Sequence, residues 1–200
     1  MKRTTKTLST VRLERRILDA ALACFLENGI EGTTIEHIRA ASGASNGSIY
    51  HHFGSKGAIA LALYVEGMQR YQTEILAQLQ HETDAEGGIR AIVVGHLKWV
   101  EANPELGLFL SRAGMTEVSG PIATRIAEVN AEFFRVVHEW LRPFIDRGDV
   151  IRLRPALYAP LIVGPAAHVA RHWLAHRLSV DLSEVAEVLA AAAWRALKAG

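Results

Sequence analysis

The chain has 200 residues, half of them apolar, and a net charge of +1. That length and apolar content bury a real core in one large or two small domains and exclude a disordered chain. The lone cysteine, Cys24, excludes an intrachain disulfide framework. The most apolar stretch, 158–169, is too short for a membrane span and is broken by Pro160, Gly164, Pro165 and His168.

Residues 1–10 are polar and rich in Thr and Ser. Over residues 1–16, Lys2, Arg3, Lys6, Arg12, Arg15 and Arg16 stand against Glu14 alone. Such a local excess raises affinity for phosphates beside a recognition module, and is otherwise a solvated tail. No long apolar run follows it, so a secretory signal is not expected. A helix is expected over 11–28, where Ile17, Leu18, Ala21, Leu22 and Phe25 share one face and Gly29 supplies the stop. Cys24 lies in that apolar pattern and reads as a buried thiol, which fits a reducing cytoplasm.

The second helix is expected from about 34. Thr33 and Glu36 have capping-box spacing, and Ile35, Ile38 and Ala41 form the buried side. Gly43 ends it in the left-handed conformation of a tight turn. Ser45 then caps a short third helix through 50, residues 51–54 connect, and Ser55 caps a long fourth helix reaching about 80. In that fourth helix Ile59, Leu63, Gly67, Tyr71, Ile75 and Leu79 recur every four residues. Gly87-Gly88 reads as a break. Further helices are expected at about 89–102, 105–114, 121–146, 154–177 and 183–198, with Pro160 or Pro165 kinking or delaying the penultimate one. Residues 150–153 read as extended chain or loop, and no strand pattern is strong enough to build a sheet.

The informative stretch is 33–61: a helix, the turn Ser42-Gly43-Ala44, a short helix, and a helix again. This is the layout of a helix-turn-helix, in which the second helix enters the major groove and the first crosses above it. In so small a unit Ile38 and Ala41 are expected to face Ile49 across the turn. Gly47 keeps the exposed side of the short helix low, and Asn46 and Ser48 then project toward base edges. Tyr50, His51 and Lys56 stand where phosphates would pass, and the amides opening the fourth helix add to that site. Ser45 is counted with them. Phe53 reads as the plug that packs the reader against the long helix.

The run Thr33-Thr34-Ile35-Glu36-His37-Ile38-Arg39-Ala40-Ala41-Ser42-Gly43-Ala44-Ser45-Asn46-Gly47-Ser48-Ile49-Tyr50-His51-His52-Phe53-Gly54-Ser55-Lys56 closely resembles the DNA-binding signature of TetR-family regulators. The matches are Ile38, Gly43, Ser45, Gly47, Ile49, Tyr50, His52, Phe53, Ser55 and Lys56. Arg39 and Ser42 stand where the family prefers alanine, Ala44 where valine is usual, and Gly57 where an acidic residue is usual. Arg39 must then point outward, where it can itself reach DNA. The resemblance implies an all-α chain: an N-terminal three-helix head with the helix-turn-helix over 1–56, joined by the long helix to an all-helical effector-binding and dimerisation body over 57–200. The elements above number about nine helices. It further implies a homodimer on a palindromic operator in double-stranded DNA, with the final two helices of each copy in a four-helix interface. Repression relieved by a small molecule bound in the body is also implied.

The last helix suits such an interface on its own terms. Leu182, Val185, Leu189, Ala193 and Trp194 lie in a broad apolar face with small residues between them. The aromatics Trp99, Phe109, Phe133, Trp140 and Trp173, with Met115 nearby, suit an apolar or aromatic effector pocket, though most also read as core. His168, His172 and His176 are four apart. Two imidazoles at that spacing can share a metal, but three span about 12 Å and cannot hold one ion. No metal or other cofactor is therefore expected, and His168 is read as a polar part of the pocket. Glu101, Glu105 and Glu117 could pair with a cationic ligand, but solvated helix positions are the preferred reading. No nucleophile elbow, phosphate loop, HExxH or CxxC is present, so an enzyme is not expected. Two rivals remain at this stage: a DNA-binding regulator or activator without a small-molecule switch, and a helical scaffold with no DNA role. Only the first shares the DNA reader, and the second predicts no salt-dependent binding to duplex DNA.

Overall fold

The computed structural model describes residues 8–113 and 121–200. The described chain is helical: α1 (Leu8–Gly32), α2 (Ile35–Ser42), α3 (Asn46–Phe53), α4 (Lys56–Leu79), α5 (Ala85–Ala102), α6 (Pro104–Ala113), α7 (Pro121–Arg147), a 3-10 turn (Pro155–Leu157), α8 (Tyr158–Ile162), α9 (Gly164–Leu174) and α10 (Leu182–Leu197). No strand forms among the described residues. Residues 149–151 meet the chain end in one antiparallel bridge, Val150 to Lys198. No helix among the described residues is long and apolar enough to cross a membrane.

Two apolar cores result. The head core joins Ile17, Ala21 and Phe25 of α1 to Ile38, Ala44 and Ile49 of the reader. It continues into Ile59, Leu63 and Tyr64 of α4 and Phe109 of α6, so it runs well past residue 56. The body core is built by α4, α5, α7, α8, α9 and α10 around Ile89, Val93, Leu97 and Leu141.

Several boundaries differ from the expected ones, each for a local reason. Gly29 does interrupt α1, at φ 71°, but one more turn follows it. Thr33 does not cap α2, because its side chain is buried at the end of α1, where its hydroxyl lies 2.9 Å from the Cys24 carbonyl and 2.7 Å from that of Gly29. Thr34 caps instead. Its hydroxyl accepts from the His37 N–H (3.2 Å), and the His37 ring accepts from the Thr34 N–H (3.4 Å). The expected Thr33–Glu36 box is thus shifted by one residue. Ala41 is exposed and does not face Ile49; Ser42 and Ala44 are buried there in its place. α3 runs on to Phe53, which packs half-buried on the head core, and Gly54 stops it at φ 77°.

The Gly87-Gly88 break does not occur. Asp84 caps α5 by accepting from the Gly87 N–H (2.8 Å), so both glycines lie in the first turns of the helix. Gly88 is there for space: a Cβ on it would stand 1.9 Å from the Trp140 ring. The single helix expected over 154–177 is three pieces. Pro165 lies in the first turn of α9, where its missing N–H costs nothing, and the chain breaks at Val163 before it. α9 ends at Leu174, so His176, at φ 53°, is not on the face that carries His168 and His172.

Candidate nucleic-acid interface and effector cavity

The reader is held by its caps. Gly43 takes φ 64°, ψ 14°, the left-handed corner that only glycine adopts without strain, and its N–H donates to the Arg39 carbonyl. The Arg16 guanidinium on α1 donates to the Ser42 carbonyl and so ties the end of α2 to the head. Ser45 Oγ accepts from the Ser48 N–H (3.1 Å) and lies 3.0 Å from Ser48 Oγ. Ser45 is therefore committed to capping α3, and Ser48 shares its hydroxyl contact. Under the reader, His52 Nδ1 meets Glu14 Oε1 at 3.1 Å with both side chains mostly covered.

What remains outward on α3 is Asn46, Gly47, Tyr50 and His51, with Ser48 half-buried. Tyr50 is 52% exposed, far more than packing explains for a side chain of its size. Arg39 is exposed on α2, but its guanidinium is held by Glu36, with Nε donating to Oε1 at 2.7 Å. That pairing, helped by Asn46, holds the Glu36 carboxyl below the usual range. Lys56 is half-buried, and its Nζ donates to the Glu31 carbonyl (2.9 Å), clasping the first turn of α4 to the end of α1. Lys56 is thus a structural clasp in this state. The parts of this scaffold that sequence reasoning missed are Arg16 and His37, and neither has a spacing signal pointing to the reader.

The body holds a partly open cavity of about 340 Å³ between α4, α5, α6, α7 and α9. Of the residues expected in an effector pocket, Trp99 and Phe133 line it. Phe109, Trp140, His168 and Trp173 do not. Phe109 points the other way and stacks on Phe25 of α1, ring centroids 5.9 Å apart. Trp140 packs on Phe144 (4.8 Å) and fills the notch left by Gly88. His168 is exposed, its ring 4.5 Å from that of His172. Trp173 belongs to a separate surface groove near Leu178 and Val180. Met115 and Glu117 lie outside the described residues. Glu101 and Glu105 are exposed and absent from the lining.

Tyr71, His96, Asn130 and Arg171 also line it and were not foreseen as lining. The signal for His96 was present: it is the polar interruption in the apolar face of α5. Tyr71 makes edge contacts with His96 (5.6 Å) and Trp99 (5.3 Å), and its hydroxyl lies 3.1 Å from His96 Nδ1. Burial pushes the His96 imidazole down to about 4 and the Tyr71 phenol up, so both are neutral near pH 7. No group of three or more metal-ligating side chains gathers among the described residues.

The described chain thus joins a helix-turn-helix head with an exposed third helix to an all-helical body with a largely apolar cavity. Residues 17–63 match the family described as bacterial regulatory proteins, tetR family. The repressor AcnR of Corynebacterium efficiens is 36% identical over 88 residues, 44% of this chain and 42% of that one. The chain thus spans less than half the length of that relative. FadR of Bacillus subtilis, solved with stearoyl-CoA, superposes with a TM-score of 0.79 at 18% identity, covering 90% of this chain and 96% of that one. AibR, solved with isovaleryl coenzyme A and operator DNA, superposes with a TM-score of 0.75 at 18% identity over 89% and 96% of the two chains. The family match is confined to residues 17–63, which span the second half of α1, the helix-turn-helix and the start of α4.

Proposed function

We propose that this chain is a sequence-specific transcriptional regulator: a homodimeric repressor that binds a palindromic operator and leaves it when a small, largely apolar molecule enters the body. The observation that carries this is the outward set Asn46, Gly47, Tyr50 and His51 on a helix fixed by two caps, in a head whose core is shared with the cavity-bearing body. Asn offers adenine a paired donor and acceptor, Gly47 allows close approach, and Tyr50 and His51 suit phosphates. AcnR is described as a repressor, and FadR and AibR were solved with acyl-CoA molecules, AibR also with operator DNA, which supports the same reading here. A cytoplasmic setting goes with it, and no catalytic role is proposed.

The switch runs through α6. Leu110 and Ser111 line the cavity, Phe109 beside them stacks on Phe25 of the head, and Arg112 Nη1 donates to the Leu26 carbonyl (3.0 Å). Asn130, also in the lining, donates to the Tyr64 hydroxyl (3.1 Å) in the head core. A ligand that displaces α6 or α7 therefore acts on α1 and α4 directly, and the spacing of paired heads changes. Such a response requires different ligand affinity in the two states, since equal affinity shifts nothing.

For the dimer, Leu182 and Ala193 are not available: both are buried in the protomer's own core, because α10 packs that face on α5. Val185, Leu189 and Trp194 are half-buried and flank Val188, which is 66% exposed. Together with exposed Leu157 and Leu161 near α8, they form the apolar face proposed to meet a second copy. Selection of bound duplexes from a random pool tests the whole reading. An enriched inverted repeat is expected, with half-sites about 10 base pairs or a multiple apart. Enrichment of nothing, or binding insensitive to salt, would show that the chain is not a DNA reader.

A further inference from the structure

The wall of the cavity holds two ring nitrogens that the fold leaves unmatched. His96 Nε2 and Trp99 Nε1 are buried and have no hydrogen-bond partner among the described residues. Both residues line the cavity, and both stand on α5 three positions apart, which places them on one helix face. Buried polar atoms are nearly always paired, so two orphans on residues that line one cavity indicate a partner that arrives from outside.

The chemistry of that partner follows from the protons. The indole N–H only donates. The neutral His96 ring carries one proton, and its Nδ1 faces the Tyr71 hydroxyl at 3.1 Å. The protonated phenol finds its acceptor at Nδ1 when the ring proton sits on Nε2, the arrangement that lets Tyr71 donate. Nε2–H and Nε1–H are then two adjacent donors, and both require an accepting atom. The remaining lining is apolar or aromatic apart from Ser111, Asn130 and Arg171. It contains a guanidinium and no carboxylate, so a cation entering it would lose its hydration without an ionic partner.

We propose that the cavity takes an apolar molecule bearing an accepting oxygen, of the carbonyl class, seated between His96 Nε2 and Trp99 Nε1, and that it rejects cations of the same shape. This rests on the effector reading given above and narrows it to one class of ligand. The cavity of about 340 Å³ lies at the small end of the roughly 300–1,000 Å³ range of ligand pockets, so an aromatic ketone or the acyl end of a larger molecule is a suitable size.

The test uses the full chain without DNA and three probes of matched size: 2-acetylnaphthalene, 2-isopropenylnaphthalene and 1-(naphthalen-2-yl)ethylammonium. Calorimetric titration is expected to give the ketone an affinity about tenfold or more above the hydrocarbon, because only the ketone satisfies the buried donors, with the ammonium weakest of the three. Trp99→Phe and His96→Phe each remove a donor and keep an aromatic ring. Each is expected to shrink the ratio of ketone to hydrocarbon affinity measured in that same variant, and either variant suffices should the other fail to fold. Equal binding of ketone and hydrocarbon, tighter binding of the ammonium, a ketone preference unchanged in the folded variants, or no binding of any probe would each overturn the proposal. Operator capture is measured separately. A ketone preference in a protein that captures no DNA would sink the regulatory reading alone, and operator released by the ammonium but not the ketone would sink the cavity chemistry alone.

Discussion

Asn46 and Lys56 sit ten residues apart, and the structure gives them different work. Asn46 is exposed on α3 beside the Glu36 carboxyl, and its amide is the group proposed to leave that carboxyl for a base edge. Asn46→Ala is expected to relax base discrimination at one position by about 1–3 kcal/mol and to leave nonspecific binding intact, as read from affinities for a panel of single-base operator variants. Lys56→Ala is expected to weaken all sequences alike and to lower the salt slope by about 1. Because Lys56 also clasps the Glu31 carbonyl, its loss should cost some head stability as well. His96 supplies a prediction of a different kind. Burial lowers its folded value from 6.5 to about 4, so between those values the unfolded chain binds a proton that the folded chain does not. Stability is therefore full above about pH 6.5 and falls as the pH drops toward 4, by up to roughly 3 kcal/mol at the bottom of the window. His96→Phe should flatten denaturation midpoints across that range, and an unchanged profile would show that the ring is not held neutral by the fold.

At the scale of elements, the caps were the legible part. Ser45, Ser55 and Gly43 all act where their spacing to an apolar run puts them, because a cap is decided by neighbours within one turn. The failures came from partners distant in sequence. Thr33 lost its cap to two carbonyls at the end of α1, and Gly87-Gly88 were kept helical by Asp84 and by a tryptophan some fifty residues away in sequence. The aromatics misled for the same reason: periodicity says that Phe109 and Trp140 are buried, not against what. α6 is the element where this matters most. It carries Phe109 toward the head and Leu110 toward the cavity, and Leu110 also closes on α4, where a Cβ at Gly67 would stand 3.2 Å from its methyls. Phe109→Leu keeps the site apolar and removes the ring stack. The variant is expected to bind 2-acetylnaphthalene as the parent does, while the factor by which operator DNA weakens that binding shrinks. Coupling is reciprocal, so the ligand should also release DNA less completely. An unchanged factor would place the transmission elsewhere, with Asn130 and Tyr64 the next link to cut.

For the whole molecule, the question is how one short helix becomes specific. On the proposed reading Asn46 through His51 touch only a few base pairs, so discrimination requires two heads at a fixed spacing, about 34–36 Å for successive major grooves. The spacing has to be set by the body, and α10 shows which part of the body is free to set it. Its inner face, Leu182, Ala186, Ala190, Ala193 and Leu197, is committed to the protomer core. Its outer face carries Val188 among half-buried Val185, Leu189 and Trp194. These two faces predict opposite phenotypes from substitutions six residues apart. Leu182→Ala should cost about 2–5 kcal/mol of stability and leave association of the folded chain unchanged. Val188→Glu should leave the protomer fold intact and place like charges across a two-fold interface, where residues meet their own copies or near neighbours. Sedimentation is then expected to show monomers at concentrations where the parent is dimeric, and operator affinity should fall toward the nonspecific level because each head binds alone. If Val188→Glu sediments as the parent does and keeps full operator affinity, the two heads are not spaced through this face of α10.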